Sequence, residues 1–415
     1  MKGSLFLFLK ESGKTNELNH SRRETQVVTK VITQAIAKEE HILLCDTTLR
    51  DGEQTPGIAL GFPEKELIAR ALVDAGIDEL EVGVPAVGPD EAASIKQLVS
   101  LHLPVRLITW NRAVPSDLEA SFRTGVEGVA ISIPVSDQQI VRKLKKSRSW
   151  VIDRMGEAIV QAKKEVKYIC LGLEDSSRAD KDFLLQICLE AEKLGVNRVR
   201  FADTLGIMNP MEIHTRFGNF PDSVNIPLEF HAHNDLGMAT ANAITAIQTG
   251  FRAVSTTVGG LGERAGNACL EEVVIALKYG LNQKIRFDHY RLSAICLVVS
   301  LATHRKIKRN KPIVGRDVFA HTSSLHLDGI YKDIANYEAF PPESVSRKHS
   351  SALGKYSGRK AVIRLLESKG ITITNQEMKE LLVKIRQQST ILKRPLQEQD
   401  ILELISFAPG TLVTK

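Results

Sequence analysis

Three short stretches of the 415-residue chain gather side chains able to do chemistry. His231 and His233 stand two positions apart in FHAHND, residues 230–235. On a strand such a pair points to one face and offers two imidazole nitrogens to a single cation. The stretch DTTLRDGEQTPG, residues 46–57, holds Asp46, Arg50, Asp51, Glu53 and Gln54 within nine positions, and Asp51 can add a carboxylate oxygen. A set of two histidines and an aspartate leaves coordination positions open for substrate and water, as a catalytic site requires and a structural one does not. The third stretch, GGLGERAGNACLEE at 259–272, has glycines that let backbone approach a ligand closely. Asn267 can bring an amide oxygen to the metal environment, while Glu263 and Arg264 can orient their neighbours. No GK[ST] follows these glycines, so they are not a phosphate-binding loop. Plainer alternatives are a capping loop for 46–57 and a packing turn for the glycines.

The elements that must position these groups follow from periodicity. Strand-like runs fall at 42–46, 79–84, 105–110, 128–133, 168–173, 198–203, 228–233 and 253–258, with amphipathic helical stretches such as 64–75, 89–101, 150–164, 181–194, 236–249 and 268–279 between them. Eight alternating units over this length predict an α/β fold, a (β/α)8 TIM barrel, rather than an open sheet. The chemistry then sits at the C-terminal strand ends, where the first and seventh strands are separated only by the eighth. The predicted organisation is a flexible extension over 1–40, a catalytic barrel over 41–283 and a smaller, mostly helical C-terminal region over 284–415, with helices near 290–308, 358–369 and 376–389.

Composition bounds the rest. The chain is 43% hydrophobic and 25% charged, enough to bury a sizeable core. No run approaches the roughly 18 apolar residues of a membrane span, and the apolar stretch 5–9 is too short for a signal-peptide core, so a cytoplasmic protein is expected. Five scattered cysteines without a CxxC pair argue against disulfides and a zinc knuckle. The net charge of +6 is modest, and its densest cluster, Arg305, Lys306, Lys308, Arg309, Lys311 and Arg316, reads as a solvated face or a contact for an anionic ligand. Without interleaved aromatics it does not suit nucleic acid.

With these residues in view, a resemblance emerges. DTTLRDGEQTPG, FADTLG at 201–206, HAHNDLG at 231–237 and GERAGNACLEE together resemble the metal-dependent Claisen-condensing acyltransferases that include 2-isopropylmalate, citramalate and homocitrate synthases. The likeness runs in the family's order from about residue 42 to about residue 360. ISIPVSD at 131–137, followed by Arg142, Lys143 and Leu144, is most similar to the homocitrate synthases of the nitrogen-fixation type, and at this length no leucine-sensing domain is expected. FAHTSSLHLDGIYKD at 319–333 is similar to the family segment whose His and Tyr, here His326 and Tyr331, reach over the active site of a partner subunit, which implies a homodimer. LGKYSGR at 353–359 also has a family counterpart. The family usually has an acidic residue at Thr322 and a His at Tyr356.

The resemblance implies condensation of acetyl-CoA with a 2-oxo acid, then hydrolysis of the thioester. Asp51, His231 and His233, with Asn267 beside them, would hold a divalent cation (Mg, Mn, Zn or Co) that polarises the ketone. Arg50 would face the developing alkoxide, and Thr204 would hold the substrate carboxylate. His326, assisted by Tyr331, with Glu174 as a possible partner, would take the methyl proton. Ser132 would help seat the substrate, and Arg112 would help choose between 2-oxoglutarate, 2-oxoisovalerate and pyruvate. The rivals are a lyase on the same barrel, disfavoured by the long helical region; a non-haem iron oxygenase, disfavoured by the β/α alternation; and a non-catalytic paralogue.

Overall fold

The computed structural model describes residues 41–351 and 353–406, so the extension expected over 1–40 lies outside the described residues. Eight parallel strands close into a barrel in chain order: β1 Leu43–Asp46, β2 Glu79–Glu81, β3 Arg106–Arg112, β4 Gly128–Pro134, β5 Tyr168–Glu174, β6 Arg198–Asp203, β7 Leu228–Ala232 and β8 Ala253–Thr256. Closure is made by β8 on β1, with Leu43 opposite Ala253 and Asp46 opposite Thr256. Each expected run supplied one strand, and the barrel reading holds.

The covering helices form where an apolar stripe meets a start signal. In Lys181–Lys193 the Asp180 side chain accepts a hydrogen bond from the Phe183 amide at 2.9 Å, and Phe183, Leu184, Ile187, Cys188 and Ala191 form the buried stripe. Gly195, at φ 70°, supplies the left-handed turn into β6. Along β6 and β7, Phe201 and Phe230 point outward into an edge-to-face group with Phe217, Phe220 and Phe251. Because strand side chains alternate, burying Phe230 on the outer face turns His231 inward.

The barrel interior carries charge. Glu79 and Glu81 on β2, Arg198 and Arg200 on β6, and Glu229 on β7 are all buried. Arg198 Nε lies 2.7 Å from Glu229, which also takes Arg200 Nε at 2.8 Å, while Arg200 reaches Glu81 at 2.8 Å. Arg198 also pairs with Glu79. Each acid meets a base, which offsets the desolvation that a lone buried charge would suffer.

After the barrel, the helix Leu292–Ala302 packs on the helix Phe62–Asp74, and its Leu292, Ile295, Cys296 and Val299 join the barrel core. The helix expected to reach residue 308 stops at Ala302, because His304 turns into the left-handed region at φ 54° and Arg305 swings to the Pro56 carbonyl at 2.6 Å. A second core gathers Leu327, Leu353, Val362, Leu366, Leu381 and Ile385, built mainly by the helices Ser324–Lys332, Arg359–Ser368, Asn375–Leu392 and Glu398–Ser406. The first and last of these were not foreseen. All five cysteines are free and buried, and among the described residues no helix is long and apolar enough to cross a membrane.

Candidate active site

Asp51, in the turn after β1, meets the two histidines at the end of β7. His231 Nε2 lies 3.1 Å from Asp51 Oδ2, His233 Nε2 lies 3.8 Å from it, and the two imidazole nitrogens are 3.1 Å apart. Donors that share one cation at about 2.1 Å stand roughly 3 to 3.5 Å from one another; two of the three separations fall in that range and the His233–Asp51 distance is slightly longer, so a small side-chain movement brings all three onto a common ion. All three residues are buried, yet Asp51 Oδ1 has no hydrogen-bond partner. Asn267 pairs with His233 through a backbone bridge, and its side-chain nitrogen is held by the Leu261 carbonyl at 2.9 Å. Its side-chain oxygen is buried and unpartnered as well. Bare carboxylate and amide oxygens beside two imidazoles are what a divalent cation satisfies, and the residues fit one.

The loops are stitched for this purpose. The Val258 amide donates to Thr48 Oγ1 at 2.9 Å and the Gly262 amide to Thr55 Oγ1 at 2.7 Å, joining the turn after β1 to the loop after β8. Gly266, at φ 91°, passes so close to the Gly260 carbonyl that a Cβ would collide with it.

Charge follows from these contacts. Burial alone would raise the Asp51 carboxyl, but the Arg50 guanidinium and the two imidazoles outweigh it and hold it well below the usual carboxylate range. Burial, with His231, Arg264 and Arg50 adding to it against the opposing pull of Asp51, pushes the His233 imidazole down to about 3. A neutral imidazole is the form that binds metal.

A cavity of about 320 Å³ opens over this group and brings together most of the residues expected from sequence: Arg50, Asp51, Arg112, Ser132, Glu174, Thr204, His231 and His233. Arg50 is fixed from behind, its Nε 2.7 Å and its Nη2 2.6 Å from Glu81 Oε2, with Nη1 3.2 Å from Asp51. Thr204 Oγ1 accepts from the Asp175 amide at 2.9 Å, so its own O–H remains to donate into the cavity. Glu174 pairs with Lys143 at 3.0 Å. Arg112 sits exposed at the rim, its guanidinium engaged by Asp117 at 2.8 and 2.9 Å.

His326 and Tyr331 do not line this cavity. Both lie on the helix Ser324–Lys332, where His326 stacks on Tyr337 with ring centroids 4.4 Å apart and Arg364 covers the Tyr331 ring at 3.4 Å.

Sequence reasoning passed over Glu81, Arg200 and Lys143 as parts of the site. A signal for the first two was present. In ELE at 79–81 and RVR at 198–200 the charges recur every second residue inside apolar strands, which places them on the barrel's inner face.

Fold and site define an HMGL-like protein: the HMGL-like family model matches residues 41–299, and the chain belongs to that family. Residues 313–393 match the model described as homocitrate synthase post-HMGL domain-like, and the relatives are condensing synthases. Over 370 residues the chain is 43% identical to 2-isopropylmalate synthase 2 of Caldanaerobacter subterraneus subsp. tengcongensis, covering 89% of this chain and 96% of that one. It is equally 43% identical over 366 residues to homocitrate synthase 1 of a Nostoc species, covering 88% and 97%. To (R)-citramalate synthase CimA of Methanocaldococcus jannaschii it is 36% identical, covering 90% and 76%. Among solved structures, the Bacillus subtilis HMG-CoA lyase superposes with a TM-score of 0.57 at 17% identity over 66% of this chain and 98% of that one, a likeness of fold.

Proposed function

We propose that the protein is a homocitrate synthase, condensing acetyl-CoA with 2-oxoglutarate and hydrolysing the thioester to (R)-homocitrate and CoA, in the service of nitrogenase cofactor assembly. The observation that carries this reading is the lining of the cavity that holds Asp51, His231 and His233: it also has the hydroxyls of Ser132 and Thr204 and the cations Lys143 and Arg112, each paired with an acid that a second substrate carboxylate can replace. A cation bound to those three residues supplies Lewis acidity to the ketone of the oxo acid.

The chain's own residues supply the rest. Thr204 donates its O–H to the substrate's carboxylate. Arg50, locked by Glu81, presents a fixed guanidinium to the oxygen that becomes alkoxide, and needs no reorganisation as charge develops. The partner subunit's His326, assisted by its Tyr331, takes a proton from the acetyl methyl. Glu174, one of the residues lining the cavity, polarises that imidazole. The resulting carbanion attacks the ketone carbon, the alkoxide recovers the proton that the imidazole took, and water then cleaves the thioester to give a carboxylate, a proton and free thiol. The reading places a homodimer in the cytoplasm, with 41–283 as the catalytic barrel and 284–415 as the region that covers the partner's site.

A second reading, 2-isopropylmalate or citramalate synthesis by the same steps, is favoured by one observation: Asp117 already occupies the Arg112 guanidinium, while Trp110, Ala130, Ile131 and Ala202 line the same cavity. Release of free thiol from acetyl-CoA, followed with 2-oxoglutarate, 2-oxoisovalerate, pyruvate and glyoxylate in parallel, decides between them. Preference for 2-oxoglutarate supports the first reading; preference for 2-oxoisovalerate or pyruvate moves the assignment to the second; no release with any acid overturns both.

A further inference from the structure

Outside the barrel mouth, a second group of two histidines and a carboxylate converges. His321 lies in the two-residue strand Ala320–His321, which pairs in parallel with Ser350–Ser351, so that Ala320 stands opposite Ser350. This ladder brings His349, the residue before the second strand, close to His321. Between them stands Glu338, after the turn Ile334–Asn336. Glu338 Oε1 is 3.3 Å from His321 Nε2 and 2.7 Å from His349 Nδ1, and one ligand atom from each residue lies within 4.8 Å of the others.

The Glu338 side chain is only 3% exposed, and its second oxygen, Oε2, is buried without a hydrogen-bond partner. Among the described residues, its ion-pair partners are those two histidines. A buried carboxylate with a bare oxygen is costly. The same signature, a carboxylate with one orphaned oxygen between two imidazoles, marks Asp51 at the barrel mouth. A third cluster, Cys269 with Glu271 and Glu272, provides the contrast. There the Lys311 ammonium already sits among the acids, 2.9 Å from the thiol sulfur and 3.2 Å from Glu271. No lysine or arginine plays that part for Glu338 among the described ion pairs.

We infer that His321, Glu338 and His349 form a second metal site, separate from the one at the barrel mouth. Two imidazoles and one carboxylate suit a borderline ion such as Zn²⁺, or Co²⁺ and Ni²⁺, rather than Mg²⁺ or Ca²⁺, which take oxygen ligands. His349 is one-third exposed, so water completes the coordination from that side. The site is a clasp: it ties together three segments that sequence separates, and the helix Ser324–Lys332 begins three residues after His321. The inference stands whatever the substrate of the barrel proves to be.

The test uses the full chain with the first site removed by the double substitution Asp51→Asn, His231→Ala. Equilibrated with zinc and passed through a desalting column, this variant should retain a single equivalent of zinc by elemental analysis, and zinc should raise its thermal midpoint. Adding His349→Ala, at a partly exposed position, should remove both effects while the far-ultraviolet circular dichroism stays unchanged. Glu338→Gln, which keeps the shape of the side chain, should do the same. The inference is overturned if the double variant binds no zinc, or if its zinc survives both of these further substitutions.

Discussion

Glu81 holds Arg50 by two nitrogens through one oxygen, Oε2, at 2.7 and 2.6 Å, and gives its other oxygen to Arg200 at 2.8 Å. Thr47 adds a hydroxyl to Oε2 at 2.8 Å. The guanidinium beside Asp51 is therefore the outermost member of a chain of charges that runs through Arg200, Glu229, Arg198 and Glu79 into the barrel. Burial would raise the Glu81 carboxyl, but Arg200 and Arg50 hold it well below its usual range, so it remains an anion.

Replacing Glu81 by Gln should therefore damage catalysis through Arg50 while leaving the metal ligands in place. We expect kcat to fall by roughly 10- to 100-fold with a smaller change in KM, because a loosened guanidinium stabilises charge poorly as it develops. Stability should fall by about 3 kcal/mol from the broken buried pairs. Metal content by elemental analysis should match the unaltered protein. A variant with normal kcat would sink the positioning role of Glu81.

Removing the metal is the second expectation. Chelation should abolish thiol release, and a divalent cation should restore it. His233→Ala should lower metal affinity by at least about 10-fold and leave little turnover even with added metal. Isothermal titration of the chelated protein reads the affinity directly. Full activity in the chelated protein would contradict a metal-dependent site at Asp51, His231 and His233.

The strands and the convergence of His231 and His233 on one face were legible because each carries a local signal: an apolar run closed by polar residues, or a histidine pair at strand spacing. The unforeseen parts depend on contacts between distant segments. Arg112 was expected to help choose the oxo acid, yet Asp117, in the first turn of the next helix, captures its guanidinium. Glu338 lies 17 residues from His321 and 11 from His349, and only the Ala320–His321 and Ser350–Ser351 ladder brings them together. The helix expected to reach residue 308 stops at Ala302, where the left-handed His304 overrides the helix propensity of the Arg and Lys residues that follow.

Stability should respond to pH through Asp46. Burial pushes its carboxyl up to about 7, although the Thr48 amide at 2.9 Å and hydroxyl at 3.0 Å partly oppose this. An acid whose folded pKa lies above its unfolded value destabilises the fold as pH rises from the unfolded value, near 4, through the folded value, and the loss is then complete. Asp46→Asn is neutral throughout. Its stability relative to the unaltered protein should therefore improve between about pH 5 and pH 8, by no more than about 4 kcal/mol, in urea titrations of the metal-free proteins. A difference that is flat with pH would show that Asp46 titrates normally.

The placement of His326 and Tyr331 away from the cavity of their own chain makes a mixing experiment decisive. Asp51→Asn destroys a metal group and His326→Ala removes a base, so each variant alone should be inactive. If every site takes its metal group from one subunit and its base from the other, a mixed dimer contains one site with both defects and one with neither. Random reassortment of equal amounts makes half of the dimers mixed, so activity should return to about one quarter of the unaltered level. Were the base to serve the cavity of its own chain, each subunit would keep its own defect and no mixture would recover activity. Reassortment through mild denaturant and renaturation, with subunit exchange followed by mass spectrometry of differently tagged chains, separates a failure to exchange from a site built within one subunit.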